Sequence, residues 1–170
     1  LFLFLFLYVN SSIKASKDLS LLGEEAQILT VDNVDFRDLN KNGKLDIYED
    51  VRVGDSSRVE NLLQQMNMEE KAGLMFITMA AMESDGALSN TAKVLNPMSL
   101  MLESNVSMVA SKNMNHFNTL QSLSPEAMID WNNNVQKIAE RTRLGIPVTL
   151  ATDPRHGVEN ATGQSIYTAA

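Results

Sequence analysis

The sequence predicts an α/β fold, and three observations carry that reading. Gly145 to Gly157 reads as a helix stop, a short buried strand and then a sharp polar turn. The preceding stretch, Ser124 to about Arg143, repeats its apolar residues at helical spacing, which makes helix followed by strand the local order. Asp38 to Glu49 spaces oxygen-bearing side chains at alternate positions around a glycine, the pattern of a calcium loop.

Within the first of these, Gly145 can take the left-handed conformation that ends a helix, and Pro147 keeps the helix from resuming. Ile146 to Ala151 is a short apolar, β-branched run, the signature of a buried strand. Pro154 removes a ladder donor and stops it. Asp153 then sits at the C-terminal end of a buried strand beside Arg155 and His156. Ligands of α/β folds bind at that end of the strands.

The totals bound what the chain can be. Its 170 residues suffice for one domain with an adequate core. A net charge of −7 argues against a nucleic-acid surface, which needs a basic stripe. Without cysteine there is no disulfide, thiolate zinc site, thiol nucleophile or lipoprotein anchor. Two histidines rule out a three-histidine metal site, and no dinucleotide, Walker or H-E-x-x-H motif occurs. The ten Met residues read as adaptable core filler, with a Met-lined partner groove as the alternative.

In chain order, Leu1 to Val9 is an uninterrupted apolar run, too short to span a bilayer and matched to the core of a secretory signal peptide. Residues 1–16 are read as a truncated signal peptide, and the chain is expected to be secreted or periplasmic with no stable membrane span. The alternative is an edge strand, since Leu/Phe alternation suits a sheet; an apolar one there would invite aggregation. Residues 17–54 form an N-terminal extension, with Lys17 to Val34 as linker or strand.

In the calcium-type loop, Asp38, Asn40 and Asn42 would give side-chain oxygens, Gly43 the turn and Lys44 its carbonyl. Asp46 would act through water and Glu49 with both oxygens. No helix precedes the loop, so it is a single structural Ca2+ loop and not a paired sensor. The alternative is an Asn/Gly-rich turn held by its own hydrogen bonds. No cofactor is needed for chemistry.

From residue 55 onward the reading is helical at first. Asp55 or Ser56 caps one helix, with Val59, Leu62, Leu63 and Met66 on a face. Asn67 and Glu70 form a capping-box pair for a second helix through Met75. Glu69 and Glu70 point to different faces and are expected to be solvated first-turn acids. Thr78 to Asn96 reads as irregular, Pro97 to Glu103 as one helical turn, Val106 to Ala110 as a strand, and Lys112 to Ser122 as a loop containing His116. Ser124 and Pro125 start the last helix, with Trp131 as core anchor. Asn10, Asn105 and Asn160 open glycosylation sequons.

Two stretches together resemble the β-glucosidase type of family-3 glycoside hydrolases. They are Phe36 to Asp50, continued by Arg58 to Met66 and Glu69 to Gly73, and Trp131 to Gly157. The likeness covers roughly 35 to 157 and is weakest over 78 to 110. It implies that 55–170 is the start of a TIM-like (β/α)8 barrel, incomplete here, preceded by the signal-like segment and the single calcium-type loop. It implies retaining, exo-acting hydrolysis of terminal β-D-glucosyl residues from glucosides or short β-glucans, with a β-glucoside or β-glucan oligosaccharide as substrate. The matching D-x-x-H-G turn implies that Asp153 binds sugar hydroxyls, while His156 and Gly157 shape the turn. The family's Lys-His pair and both catalytic carboxylates fall later than Ala170, so no catalytic residue is assigned and the piece alone is expected to be inactive. Competing readings are a calcium-loop docking module and a noncatalytic sugar-binding remnant.

Overall fold

The computed structural model describes residues 2–90, 102–119 and 123–152. Helix α1 (Phe2–Leu19) opens the chain, so the edge-strand alternative for its apolar start is overturned. Its two halves differ. Leu3, Leu5, Phe6 and Tyr8 are exposed, while Ala15, Asp18 and the following Leu22 are buried against the body. No helix among the described residues is long and apolar enough to cross a membrane.

Strands β1 (Gln27–Val31) and β2 (Val34–Asp38) form an antiparallel hairpin. Asp32 and Asn33 turn it with positive φ values of 54° and 63°. Two such residues match the right-handed twist of the flanking strands, and Asp and Asn tolerate that conformation. The extended reading before the calcium-type loop therefore holds, and of the two readings of Lys17 to Val34 the strand is the one observed, as β1, after the last three residues of α1.

Helix α2 (Asp55–Gln65) starts from Gly54, one residue before the expected cap. Helix α3 (Met68–Leu74) starts on the expected capping box: Glu70 N–H donates to Asn67 Oδ1 at 2.8 Å and Asn67 N–H to Glu70 Oε2 at 2.9 Å. Gly73 lies against the loop carrying Asn113; a Cβ there would stand 2.2 Å from the Asn113 carbonyl oxygen.

Strands β3 (Ile77–Ala80), β4 (His116–Thr119) and β5 (Thr149–Thr152) make a parallel sheet with β4 in the middle. Two corrections follow. The expected loop around His116 contains the central strand, and part of the supposed irregular stretch is β3. Each offers only four residues of period-2 alternation, such as half-buried His116 and Asn118 against buried Phe117 and Thr119. The expected strand Val106–Ala110 is helical instead: Val106 caps a π-helical turn (Ser107–Ser111) that holds the rest of it, and Ser107 N–H donates to Ser104 Oγ at 3.1 Å. Its β-branched residues pack inward from a helical backbone, and period alone does not separate the two in so short a run.

Helix α4 (Pro125–Glu140) begins as expected, with Ser124 accepting from Ala127 N–H and Pro125 in the first turn. Trp131, Val135, Ile138 and Ala139 face inward at helical spacing and meet Ala80, Phe117, Met82, Met108 and Val109 in one core. Burying each large side chain contributes about 1.5–3 kcal/mol. Trp131 is core, as its spacing implied. The opposite face of the sheet leaves Ile77 and Met79 exposed.

One buried polar group organises the core. Asn105 Oδ1 accepts from Ser89 N–H at 2.8 Å and Trp131 Nε1 at 3.2 Å, and its Nδ2 donates to the Ala81 carbonyl at 3.1 Å. Its sequon is therefore closed to modification once the chain is folded.

Candidate functional site

Gly145 takes φ +58°, ending the passage out of α4 as the sequence implied. The strand it leads to starts later than expected, at Thr149 and not Ile146. Two side chains hold the intervening residues out of the sheet. Asn115 Nδ2 donates to the Ile146 carbonyl at 2.9 Å, and Gln136 exchanges hydrogen bonds with Val148 at 2.7 and 2.9 Å. β5 is described as far as Thr152, and Asp153, Arg155, His156 and Gly157 lie outside the described residues. His116 begins β4 with a buried Nδ1 that has no hydrogen-bond partner among the described residues. It lies on the sheet and is not brought to the Asp38–Glu49 loop.

That loop is fully described. The buried Asp38 carboxylate accepts from Asn42 N–H at 3.0 Å and Gly43 N–H at 2.7 Å. Gly43 supplies its turn with φ +77°, and Lys41 is also left-handed at +58°. Glu49, equally buried, reaches back to accept from Leu39 N–H at 2.7 Å, Asn40 N–H at 3.2 Å and Asp46 N–H at 2.9 Å. The Nδ2 groups of Asn40 and Asn42 both donate to Asp46 Oδ2, at 2.8 and 2.6 Å.

The loop thus closes on its own hydrogen bonds, as an Asn/Gly turn does. Among the described residues no three His, Cys, Asp or Glu side chains converge to hold an ion. The donor chemistry nonetheless suits a hard cation: the loop carries carboxylate and amide oxygens and the Lys44 carbonyl. The amides of Asn40 and Asn42 now present nitrogen to Asp46. A half-turn of each exchanges nitrogen for oxygen without changing shape. The loop borders an open cleft of about 640 Å³ with Glu24, Glu25, Gln27 and Arg141 on its other walls.

Several anchoring residues are invisible at the level of motifs. Lys41 Nζ donates to the carbonyls of Leu39 and Glu140, each at 2.5 Å, and Thr142 at 2.6 Å. Burial holds its pKa below the ordinary lysine value, against the opposing pull of Glu140, Asp38 and Glu49. Tyr48 donates its hydroxyl to the Leu144 carbonyl at 3.2 Å, and burial, helped by Glu49, pushes its phenol far up. Glu70 is not a solvated acid: it is buried, and Arg143 grips it at 2.9 and 2.5 Å. The capping box needs its carboxylate at the helix start, and that is where Arg143 reaches. The sequence offers one signal for Tyr48, a large aromatic residue within an otherwise polar loop.

Comparison with known proteins decides the kinship. The chain is 37% identical over 142 residues to the periplasmic beta-glucosidase/beta-xylosidase of Dickeya chrysanthemi, covering 83% of the chain and 21% of that protein. It is 36% identical over 124 residues to the probable beta-glucosidase C of Aspergillus oryzae, covering 72% and 18%. Against beta-glucosidase C of Emericella nidulans it is 33% identical over 127 residues, covering 74% and 19%.

The chain belongs to the β-glucosidase family.

This agrees with the family-3 resemblance carried by the two quoted stretches. No protein-family model matches the chain. The chain spans about a fifth of the length of the β-glucosidases it matches.

Proposed function

We propose that the protein containing this chain is a retaining, exo-acting β-glucosidase, releasing terminal β-D-glucosyl residues from glucosides or short β-glucans. The identity to β-glucosidases over most of the chain carries this reading. The chain would supply the opening of a (β/α)8 barrel. Three parallel strands with one face under helix α4 and exposed Ile77 and Met79 on the other are consistent with strands of an unclosed barrel.

Retaining hydrolysis needs two carboxyl groups, a nucleophile and an acid/base, on either side of the glycosidic bond. In this reading both come from outside the chain. Asp153, which follows β5 directly in sequence, would orient the terminal glucosyl unit by accepting charge-assisted hydrogen bonds from two hydroxyls. Such bonds hold the sugar ring where the nucleophile can reach its anomeric carbon.

Asp38, Asn40, Asn42, Lys44, Asp46 and Glu49 would hold one structural Ca2+. The apolar start of α1 would direct export to the periplasm or outside of the cell. The docking-module reading loses ground because the loop is anchored to residues 140–144 by Lys41 and Tyr48 and is not a free module.

The test is nitrophenol release from an aryl β-glucoside by the full-length protein, beside the 170-residue chain alone. The expected result is turnover by the former and none by the latter. No turnover of any aryl β-glycoside by the full-length protein would overturn the proposal.

A further inference from the structure

Residues 140–145 carry the chain from α4 towards β5, and the N-terminal extension holds this passage from several directions. The last carbonyls of a helix have no intrahelical donor. Lys41 supplies one: its ammonium spends all three donors on the carbonyls of Leu39, Glu140 and Thr142. Its positive charge also suits the negative end of the α4 dipole. Leu39 packs on Gly145 so closely that a Cβ there would lie 3.0 Å from the Leu39 carbonyl oxygen. Tyr48 fixes the Leu144 carbonyl, and Gly23 exchanges two hydrogen bonds of 2.8 Å with Arg141.

Lys41 occupies the position in the loop between two would-be ligands, and its carbonyl and side chain belong to neither. It is nevertheless held left-handed, a conformation that a non-glycine residue keeps only when its surroundings impose it. The side chain it delivers explains why the loop bends there.

We propose that Lys41 is a positioning residue for β5: it locks the Asp38–Glu49 loop to the α4–β5 passage and so sets where the strand leading to Asp153 emerges. This rests on the functional reading above only for its kinetic consequence. The mechanical part stands on contacts alone. Thr149 N–H, bonded to the Asn115 carbonyl at 2.7 Å, and Val148 N–H, bonded to Gln136, are the amides that report the entry of β5.

The test uses full-length protein with Lys41→Asn and Lys41→Arg. Asn accepts the left-handed backbone, so the first variant removes the ammonium without adding strain. Hydrogen exchange of residues 141–152 is read beside exchange of α4, together with KM and kcat on an aryl β-glucoside. Lys41→Asn is expected to speed exchange over 141–152 by about tenfold, the loss of at least one charge-assisted hydrogen bond. It should leave α4 unchanged and raise KM with kcat held within about threefold, as expected when binding alone is lost. Lys41→Arg should restore most of the protection.

Exchange over 141–152 unchanged within about twofold would overturn the proposal. So would faster exchange spread equally through α4, which marks general destabilisation. Loss of protection with an unmoved KM would refute the link to substrate. If the unmodified full-length protein hydrolyses no aryl β-glucoside, the functional reading fails, and the exchange measurement still decides whether Lys41 positions β5.

Discussion

Replacing Asn105 by alanine removes three hydrogen bonds from the core at once. The partners are the Ser89 N–H, the Trp131 indole N–H and the Ala81 carbonyl. All three residues are buried, with Trp131 at 0% and Ala81 at 1% exposure, so bulk water does not reach the abandoned groups. An orphaned buried donor or acceptor costs about 1–3 kcal/mol. Taking the low end for each gives a loss of about 3 kcal/mol, a large part of the roughly 5–15 kcal/mol that holds a domain together. Trp131 is the sole tryptophan of the chain and touches the altered side chain, so its emission reports the site directly. In a urea titration followed by that emission, a slope of about 1–3 kcal/mol per molar turns the loss into a midpoint fall of at least ~1 M. A fall below ~0.3 M would refute the reasoning, since it would mean that the three bonds contribute almost nothing net.

Other substitutions and conditions test the same framework. Glu70→Ala should lower stability by about 2 kcal/mol through loss of both the capping box and the Arg143 pair, with Glu70→Gln milder because it keeps the box; the same titration reads both. Gly73→Ala should destabilise by about 3 kcal/mol or more, since its Cβ meets backbone at Asn113 that cannot rotate away. Burial opposes the charge on Glu103, yet hydrogen bonds from Lys112 at 2.7 Å and Lys14 at 2.5 Å outweigh it and hold the carboxyl at about 2, below its ordinary 4.5. The stability this contributes is complete above pH 4.5 and is lost as pH falls through 4.5 towards 2. Exposure and screening reduce it to about 1 kcal/mol, and Glu103→Gln should flatten that part of an acid titration.

What was legible in the sequence was local. The Asn67–Glu70 box, the Ser124–Pro125 start, the Gly145 stop and the inward face of Trp131, Val135 and Ile138 each follow from residues within a few positions of one another. The turn around Gly43 is legible for the same reason: the spacing of Asp38, Asn40, Asn42 and Gly43 alone dictates its shape. β3 and β4 escaped because four-residue strands give little alternation, and half-buried His116 and Asn118 lend β4 the polarity of a loop. The π-helical turn escaped because a short apolar run suits either backbone. The burial of Glu70 is not legible because its partner, Arg143, lies 73 residues away, and Lys41 meets the Glu140 and Thr142 carbonyls at separations of 99 and 101 residues. No local pattern encodes such pairings. Asp153 remains a sequence-based assignment, since it falls outside the described residues.

The central claim is that this chain opens a β-glucosidase and brings it a sugar-binding carboxylate at Asp153. Steady-state kinetics of the full-length protein and its Asp153→Asn variant on an aryl β-glucoside test it most directly. The variant keeps the shape and loses the charge-assisted bonds, each worth about 1.5–3 kcal/mol, so kcat/KM should fall by at least about a hundredfold. Unchanged KM and kcat in the variant would remove Asp153 from the site and contradict the account.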